Sequence, residues 1–256
     1  MSAQPSKEQW VELRQQAVTD ISRVIEEVGL PDILLLYQRD VVELLDSTAC
    51  DILFVEKSRR IGLTWALAAY CVLKAGRESA AGGMDAMYIS YSQEMTREFI
   101  DACAMWARAF NVAAIDQEEF LFDDTDGNID RFIQAFRIRF ASGFEIGARS
   151  SAPRTLRGKQ GVVIIDEAAF VDSLKELIKA AMAFLMWGGQ VVVCSTHNGT
   201  ENEFNVQIQD ILTGRLPYEH RRIDLDDALK DGLYERICLV TGKEWTVEAA
   251  AEWRQD

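Results

Sequence analysis

The sequence predicts an α/β fold, with a central, mainly parallel sheet flanked by helices. Three observations carry this. Val162 to Ile165 is an unbroken run of β-branched residues, which suits a strand covered on both faces. Gln190 to Cys194 is a second buried run. Between Ile52 and Ala75 the order is short apolar strand, polar loop, apolar helix. That is the layout of a loop that holds anions at a helix N-terminus.

Composition sets the bounds. The 256 residues can bury the core of one large domain, or of one domain with an appendage. The longest apolar run, Trp65 to Leu73, is too short to cross a bilayer, so no membrane partner is expected. Met1 to Glu8 is polar and lacks a signal-peptide core. Most of the five cysteines sit in apolar stretches, as reduced core thiols of a cytosolic protein do. Two histidines and no cysteine pairs argue against structural zinc. A net charge of −14 counts, as a global signal, against a nucleic-acid partner. The charge is patterned, however. Val112 to Asp130 holds seven acids and no base, whereas Arg131 to Lys159 holds seven bases and one acid. The second block is either a solvated surface or a local face for DNA phosphates.

Along the chain, Lys7 to Val28 has helical spacing of Trp10, Leu13, Ala17, Val18, Ile21 and Ile25, and Gly29 and Pro31 stop it. Asp32 is placed to cap a second helix, to about Leu45, that carries Tyr37, Gln38 and Arg39. A Tyr-Gln pair before a phosphate-loop strand can serve adenine, the ring stacking and the amide bonding the base edge; an ordinary surface helix has the same spacing. Ala86 to Tyr91 reads as a strand, with Ser92 capping a helix to about Phe110. Asp123 to Asn128 is a hydrated turn rather than a calcium loop. With Gly127 at the sixth position, Phe122 and Ile133 would fall where ligands are required. Phe132 to Phe140 and Phe144 to Ala148 alternate about Ser142-Gly143 as a hairpin. Ser173 with Glu176, and Thr200 with Glu203, are spaced as capping boxes; the first opens a helix to about Trp187. Tyr218 to Ile223 suits an edge strand, and Asp224 to Gly232 and Thr246 to Arg254 suit short helices.

The chemistry-bearing residues cluster at strand ends. Asp166 and Glu167 follow the buried run at once, which puts charge at the carboxyl edge of a sheet, where open α/β folds keep their sites. In a nucleotide hydrolase the first acid would serve Mg²⁺ and the second would deprotonate the attacking water. An acidic helix start is the plainer reading. The loop Lys57-Ser58-Arg59-Arg60-Ile61-Gly62-Leu63-Thr64 matches the phosphate-loop pattern at Gly62 and Thr64. It fails where Lys57 replaces the first glycine and Leu63 the lysine, though Lys57, Arg59 and Arg60 supply three cations. Ser195-Thr196-His197-Asn198 ends the second buried strand with small hydroxyls and an amide that can sense a γ-phosphate; His197 suits a turn.

Taken in order, Tyr37-Gln38-Arg39, the loop from Lys57 to Thr64, Ser151 to Gly161, Val163 to Ala168 and Cys194 to Asn198 resemble the ATPase domain of phage terminase large subunits, most closely the Mu-like branch. The resemblance covers about residues 30 to 225. Some terminases likewise carry the phosphate-loop lysine at the loop's start. The resemblance implies a RecA-like P-loop NTPase fold of the ASCE type, ATP and Mg²⁺, and double-stranded DNA driven into a procapsid. It implies residues 1–30 as an N-terminal helical extension, 31–225 as the ATPase domain, and 226–256 as a helical segment leading towards a nuclease domain.

By that resemblance Asp166 and Thr64 serve Mg²⁺ and Glu167 is the catalytic base. Arg59 or Arg60 stabilises the transferring phosphoryl group. Tyr37, Gln38, Lys57, Ser58, Gly62, Leu63 and Thr64 bind nucleotide. Ser195, Thr196 and Asn198 couple hydrolysis to movement. Arg154, Arg157 and Lys159 are the candidate DNA contacts. A terminase small subunit, a portal and procapsid, and an oligomeric ring in the bacterial host cytoplasm are the implied partners and place. A non-hydrolysing DNA- or capsid-binding adaptor on a degenerate ATPase fold is the alternative, motivated by Leu63. A superfamily 2 helicase is weaker, because its usual acid or histidine is Ala169 here.

The chain stops where the resemblance places a nuclease, so no nuclease activity is expected of it. Plasmid DNA should stay intact in Mn²⁺ or Mg²⁺. Cleavage that survives purification and vanishes on mutating Asp224, Asp226 and Asp227 would overturn this.

Overall fold

The structure is a computed structural model that describes residues 34–47, 50–110, 114–125, 130–150, 156 and 160–255. The helix read over Lys7–Val28, the Asp32 cap, and Arg154, Arg157 and Lys159 lie outside these residues. In chain order the elements are α1 (Leu36–Asp46), β1 (Ile52–Lys57), α2 (Leu63–Gly76), β2 (Ala86–Ser90), α3 (Gln93–Ala109), β3 (Ala114–Thr125), β4 (Asp130–Phe140), β5 (Glu145–Ser150), β6 (Val162–Asp166), α4 (Leu174–Ala181), β7 (Gln190–Ser195), α5 (Glu203–Leu212), β8 (Glu219–Ile223), α6 (Leu225–Lys230), α7 (Leu233–Thr241) and α8 (Val247–Gln255). The eight strands form one sheet, in the order β3-β4-β5-β2-β6-β7-β1-β8. From β5 to β8 every pairing is parallel. The β3-β4 and β4-β5 pairings are antiparallel. This is the predicted α/β architecture with an antiparallel extension.

The unbroken apolar runs are explained by the two faces of the sheet. Val162 and Ile164 belong to one core cluster, with α1, α2 and α3. Val163 and Ile165, one residue out of phase, belong to the other, with α4 and α5. Leu53 and Val55 divide from Ile52 and Phe54 in the same way. A strand covered on both sides has no polar face to alternate with. Free thiols at Cys50, Cys71, Cys103, Cys194 and Cys238 are all buried, as the sequence predicts. Among the described residues no helix is long and apolar enough to cross a membrane.

Four local expectations are corrected. The acidic block is largely a strand, β3, set against the basic strand β4. The backbone register places Asp116 opposite Arg139, Glu118 opposite Arg137 and Asp124 opposite Arg131. Cross-strand pairs of opposite charge favour such pairing. Ser173 precedes α4 in a left-handed conformation and makes no capping bond, and the chain beyond Ala181 tightens into a 3₁₀ helix to Trp187. Asn202, rather than Thr200, caps α5 by accepting from the Phe204 N–H. Helix α7 was not predicted. Other caps are as expected: Ser92 Oγ accepts from the Met95 N–H at 3.2 Å, and Gly143, at φ 89°, turns the β4-β5 hairpin.

Gly161 fixes how the active edge is delivered. Its φ is +117°, and an added Cβ would lie 2.0 Å from the Asp85 carbonyl oxygen. That carbonyl accepts the Val162 N–H at 2.8 Å, which seats β6 beside β2. Gly161→Ala is expected to cost more than about 2 kcal/mol, through strain and backbone displacement. Chemical denaturation checks it, and an unchanged midpoint would contradict this account of the turn.

Candidate active site

Three parallel strands bring the predicted residues to one sheet edge. β1 ends in Lys57, β6 in Asp166 with Glu167 following, and β7 in Ser195 with Thr196 following. β7 lies between the other two. Residues far apart in sequence thus meet at the carboxyl ends of adjacent strands.

Asp166 is fully buried, and each of its oxygens is occupied. Thr64 Oγ1 donates to Oδ2 at 2.7 Å and Tyr88 Oη donates to it at 2.9 Å. The Glu167 N–H donates to Oδ1 at 2.9 Å, and Cys194 Sγ donates to it at 3.2 Å. Burial, reinforced by the carboxylate, pushes the Tyr88 phenol and the Cys194 thiol well above their usual pKa values. Both groups therefore remain protonated donors. Phe99 stacks on the Tyr88 ring at 3.8 Å and fixes its direction.

Lys57 crosses from β1 to the acids. Its Nζ lies 2.5 Å from Glu167 Oε1 and 3.7 Å from Asp166 Oδ1. Burial alone would lower the lysine pKa, but Asp166 and Glu167 outweigh it and raise the pKa above the ordinary range. The ammonium is thus held charged. Glu167 itself has a left-handed backbone, φ 50°. Its other oxygen, Oε2, accepts from Ser195 Oγ at 3.4 Å, Thr196 Oγ1 at 3.3 Å and the Thr196 N–H at 3.4 Å. The Ala169 N–H donates to Ser195 Oγ at 3.0 Å, and Asn198 Nδ2 donates to the Ala169 carbonyl at 3.2 Å. The three expected coupling residues are therefore tied to the Glu167 segment.

The loop between β1 and α2 meets this constellation from the side. Gly62, at φ +74°, turns into α2, whose first residues are Leu63 and Thr64. Leu63 is buried in the core, so its side chain is not available to a ligand; only its backbone can take part. A cavity of about 350 Å³ is lined by Lys57, Ser58, Arg60, Gly62, Thr64 and Glu167, among others. Arg60 is exposed on its wall with a left-handed backbone, φ 57°, and Arg59 is exposed beside it.

Tyr37 and Gln38, read as adenine contacts, hold the loop between β1 and α2 in this structure. Both are buried. The Tyr37 hydroxyl donates to the Ile61 carbonyl. Gln38 Nε2 donates to the Ile61 and Gly62 carbonyls at 3.2 and 3.1 Å, and its Oε1 accepts the Leu35 N–H at 3.0 Å. Their polar atoms brace the loop from behind. Gly62 leaves room for this: an added Cβ would sit 2.7 Å from Gln38 Nε2. Sequence reading also missed Tyr88 and Cys194 as partners of Asp166. Tyr88 lies 78 residues from Asp166, and no local pattern signals the contact.

The brace is testable. Gln38→Leu keeps bulk but strands buried backbone groups at both ends of the amide, which should destabilise the fold by about 1–3 kcal/mol. Equilibrium unfolding measures it; no loss would mean the amide carries no weight in the loop.

Comparisons with known proteins agree with this fold. No family model matches the chain. The Mu-like prophage FluMu protein gp28 of Haemophilus influenzae is 54% identical over 199 residues, covering 78% of this chain and 38% of the relative. The probable terminase large subunit gp28 of Escherichia phage Mu is 51% identical over 205 residues, covering 79% and 37%. The chain thus spans less than two-fifths of either relative. Among solved structures, the large terminase of a thermophilic bacteriophage in complex with ADP has a TM-score of 0.54 at 15% identity, covering 80% of this chain and 50% of that one. The HK97 bacteriophage large terminase has a TM-score of 0.51 at 15% identity, covering 75% and 39%. A Thermus phage large terminase ATPase domain has a TM-score of 0.50 at 15% identity, covering 77% and 86%. These structural likenesses show a shared RecA-like fold, and the sequence identities show descent: the chain belongs to the Mu-like gp28 family of phage terminase large subunits.

Proposed function

We propose that the chain is an ATP-hydrolysing motor domain of a terminase large subunit that translocates double-stranded DNA into a procapsid. One observation carries this reading. A phosphate-loop cation, a loop hydroxyl, a buried carboxylate and a second, adjustable carboxylate converge at one sheet edge, in Lys57, Thr64, Asp166 and Glu167. The Mu relative is named as a probable terminase large subunit, and the thermophilic phage structure holds ADP. Both support carrying nucleotide chemistry to this chain.

The oxygens present fit Mg²⁺. This ion takes one or two protein oxygens together with water and substrate phosphates, not an all-protein cage. Among the described residues no group of three metal-ligating side chains exists. Thr64 Oγ1 and Asp166 Oδ2 converge at 2.7 Å and would hold the ion. Bound there, Mg²⁺ would neutralise phosphate charge. Tyr88 and Cys194 keep the Asp166 carboxylate oriented.

In the proposed reaction, water attacks the γ-phosphorus, the bond to the ADP oxygen breaks, and the water's proton passes to Glu167. Lys57 covers Glu167 until a triphosphate competes for the ammonium. Its transfer to the phosphates uncovers the base only when substrate is present. Arg59 or Arg60 supplies planar guanidinium contacts to the moving phosphoryl group. Ser195, Thr196 and Asn198 sense the Glu167 position. The proposed domain division keeps residues 31–225 as the motor unit and 226–256 as a helical extension of it. Arg154, Arg157 and Lys159 remain the proposed DNA contacts. A small subunit, a portal and procapsid, and a ring in the host cytoplasm complete the proposal. Leu63 is the observation behind the adaptor alternative, and failure to bind ATP makes that the reading to adopt.

Glu167→Gln should leave ATP binding intact and lower turnover by roughly 10²-fold or more; unchanged turnover removes Glu167 from the mechanism. Lys57→Ala should raise the KM for ATP and lower turnover. An alanine at the working arginine should lower turnover with little change in KM, as for an interaction made chiefly in the transition state. Steady-state kinetics separates these outcomes, and parent-rate hydrolysis by Lys57→Ala would end the lysine assignment.

A further inference from the structure

Both histidines of the chain close on one carboxylate, that of Glu56. Glu56 directly precedes Lys57. His197 Nε2 lies 2.5 Å from Glu56 Oε2, and His220 Nε2 lies 2.6 Å from Glu56 Oε1. The carboxylate is therefore occupied on both oxygens and is largely buried, with 12% of its side chain exposed. Each imidazole meets a carboxylate oxygen through Nε2. The two histidines belong to different structures. His197 lies on the loop after β7, next to Thr196, which bonds Glu167. His220 lies on the edge strand β8, which pairs with β1 and leads through Asp224 into α6.

We infer that Glu56 is a positioning residue that ties the loop sensing Glu167 to the edge strand and the helices that follow it. The inference rests on the proposed ATP site. A short covalent and hydrogen-bonded path runs from Glu167 through Thr196 and His197 to Glu56, and on to His220 in β8. A second tie holds the same strand pair, since the Ser58 N–H donates to the Ile223 carbonyl at 3.0 Å. The phosphate loop is thereby bound to β8 on one side, and the sensing loop reaches β8 through Glu56. Lys57 and Glu56 are sequence neighbours that serve opposite sides of the strand. When Lys57 leaves Glu167 for a triphosphate, the Thr196 contacts to Glu167 change. His197, the next residue, carries that change to the Glu56 carboxylate. His220 then responds although it touches no part of the nucleotide site.

The experiment uses the tag-free full chain with ¹⁵N-labelled histidine, whose imidazole spectrum holds two ring systems. Titration with a non-hydrolysable ATP analogue gives the affinity independently. Analogue binding is expected to shift both rings in the parent. In Glu56→Gln, which keeps the side chain's shape, the His197 ring should still shift and the His220 ring should not. Affinity should stay within about twofold, while turnover falls roughly 5- to 20-fold, the range of a coupling between sites. His220→Ala cuts the same tie from the other end and should reproduce that loss in turnover at unchanged affinity, should Glu56→Gln not fold. A His220 ring indifferent to bound analogue in the parent overturns the inference while leaving the ATP site standing. An equal shift in Glu56→Gln, or parent turnover in both variants, overturns it as well. If the analogue does not bind the parent at all, the proposed function falls and the inference with it.

Discussion

The buried carboxylate of Asp166 is the constraint on which the site depends. A charge with no exposure to water must be met by donors, or its desolvation would weigh heavily on the fold. Here the donors come from α2, β2, β7 and the adjacent backbone, through Thr64, Tyr88, Cys194 and the Glu167 N–H. Satisfying one side chain therefore sets the relative positions of four segments. It draws the loop between β1 and α2 against β6 and fixes which way Tyr88 faces. Lys57 adds a formal positive charge across β7. The same contacts that make the buried charge tolerable align the groups proposed to handle a nucleotide.

That arrangement is possible because the sheet is covered on both faces. Helices α1 to α3 pack on one side and α4 and α5 on the other. The interiors of β1, β6 and β7 are apolar, so their polarity is confined to the ends. In β1, β6 and β7 the change from apolar to polar comes at matching register, with Glu56 opposite Ser195 and Asp166 opposite Cys194. Parallel pairing then gathers these ends in one place. The antiparallel extension follows another rule: three of its β3-β4 register pairs set an acid opposite an arginine, which local apolar patterning does not supply for an acidic run.

Backbone geometry marks the same region. Arg60, Glu167 and Ser173 adopt left-handed conformations despite carrying side chains. Two of the three flank the cavity. Such conformations persist only where the surroundings over-determine them. At Glu167 the surroundings are the Lys57 ammonium and the hydroxyls after β7. At Arg60 the surroundings are the loop that Tyr37 and Gln38 brace from behind.

The parallel sheet, the loop after β1, the acids after β6 and the polar stretch after β7 were all legible in the sequence. Each is a local signal: β-branched runs, a glycine before a helix, paired carboxylates, small hydroxyls at a strand end. The family resemblance rested on the order of these signals. Capping was less legible, because Ser173 and Thr200 have the right side chains at the right spacing while the adjacent chain chooses another geometry. The partners of Asp166 and the two-histidine clamp on Glu56 were not legible at all. Tyr88 is 78 residues from Asp166, His197 is 141 from Glu56, and His220 is 164 from Glu56. The role of Gln38 likewise turned on which way a buried amide faces. Local sequence determines where strands end and which chemistry stands there. Only the packing of strands in space decides which of those ends touch, because a hydrogen bond depends on ångström distances that sequence separation does not encode.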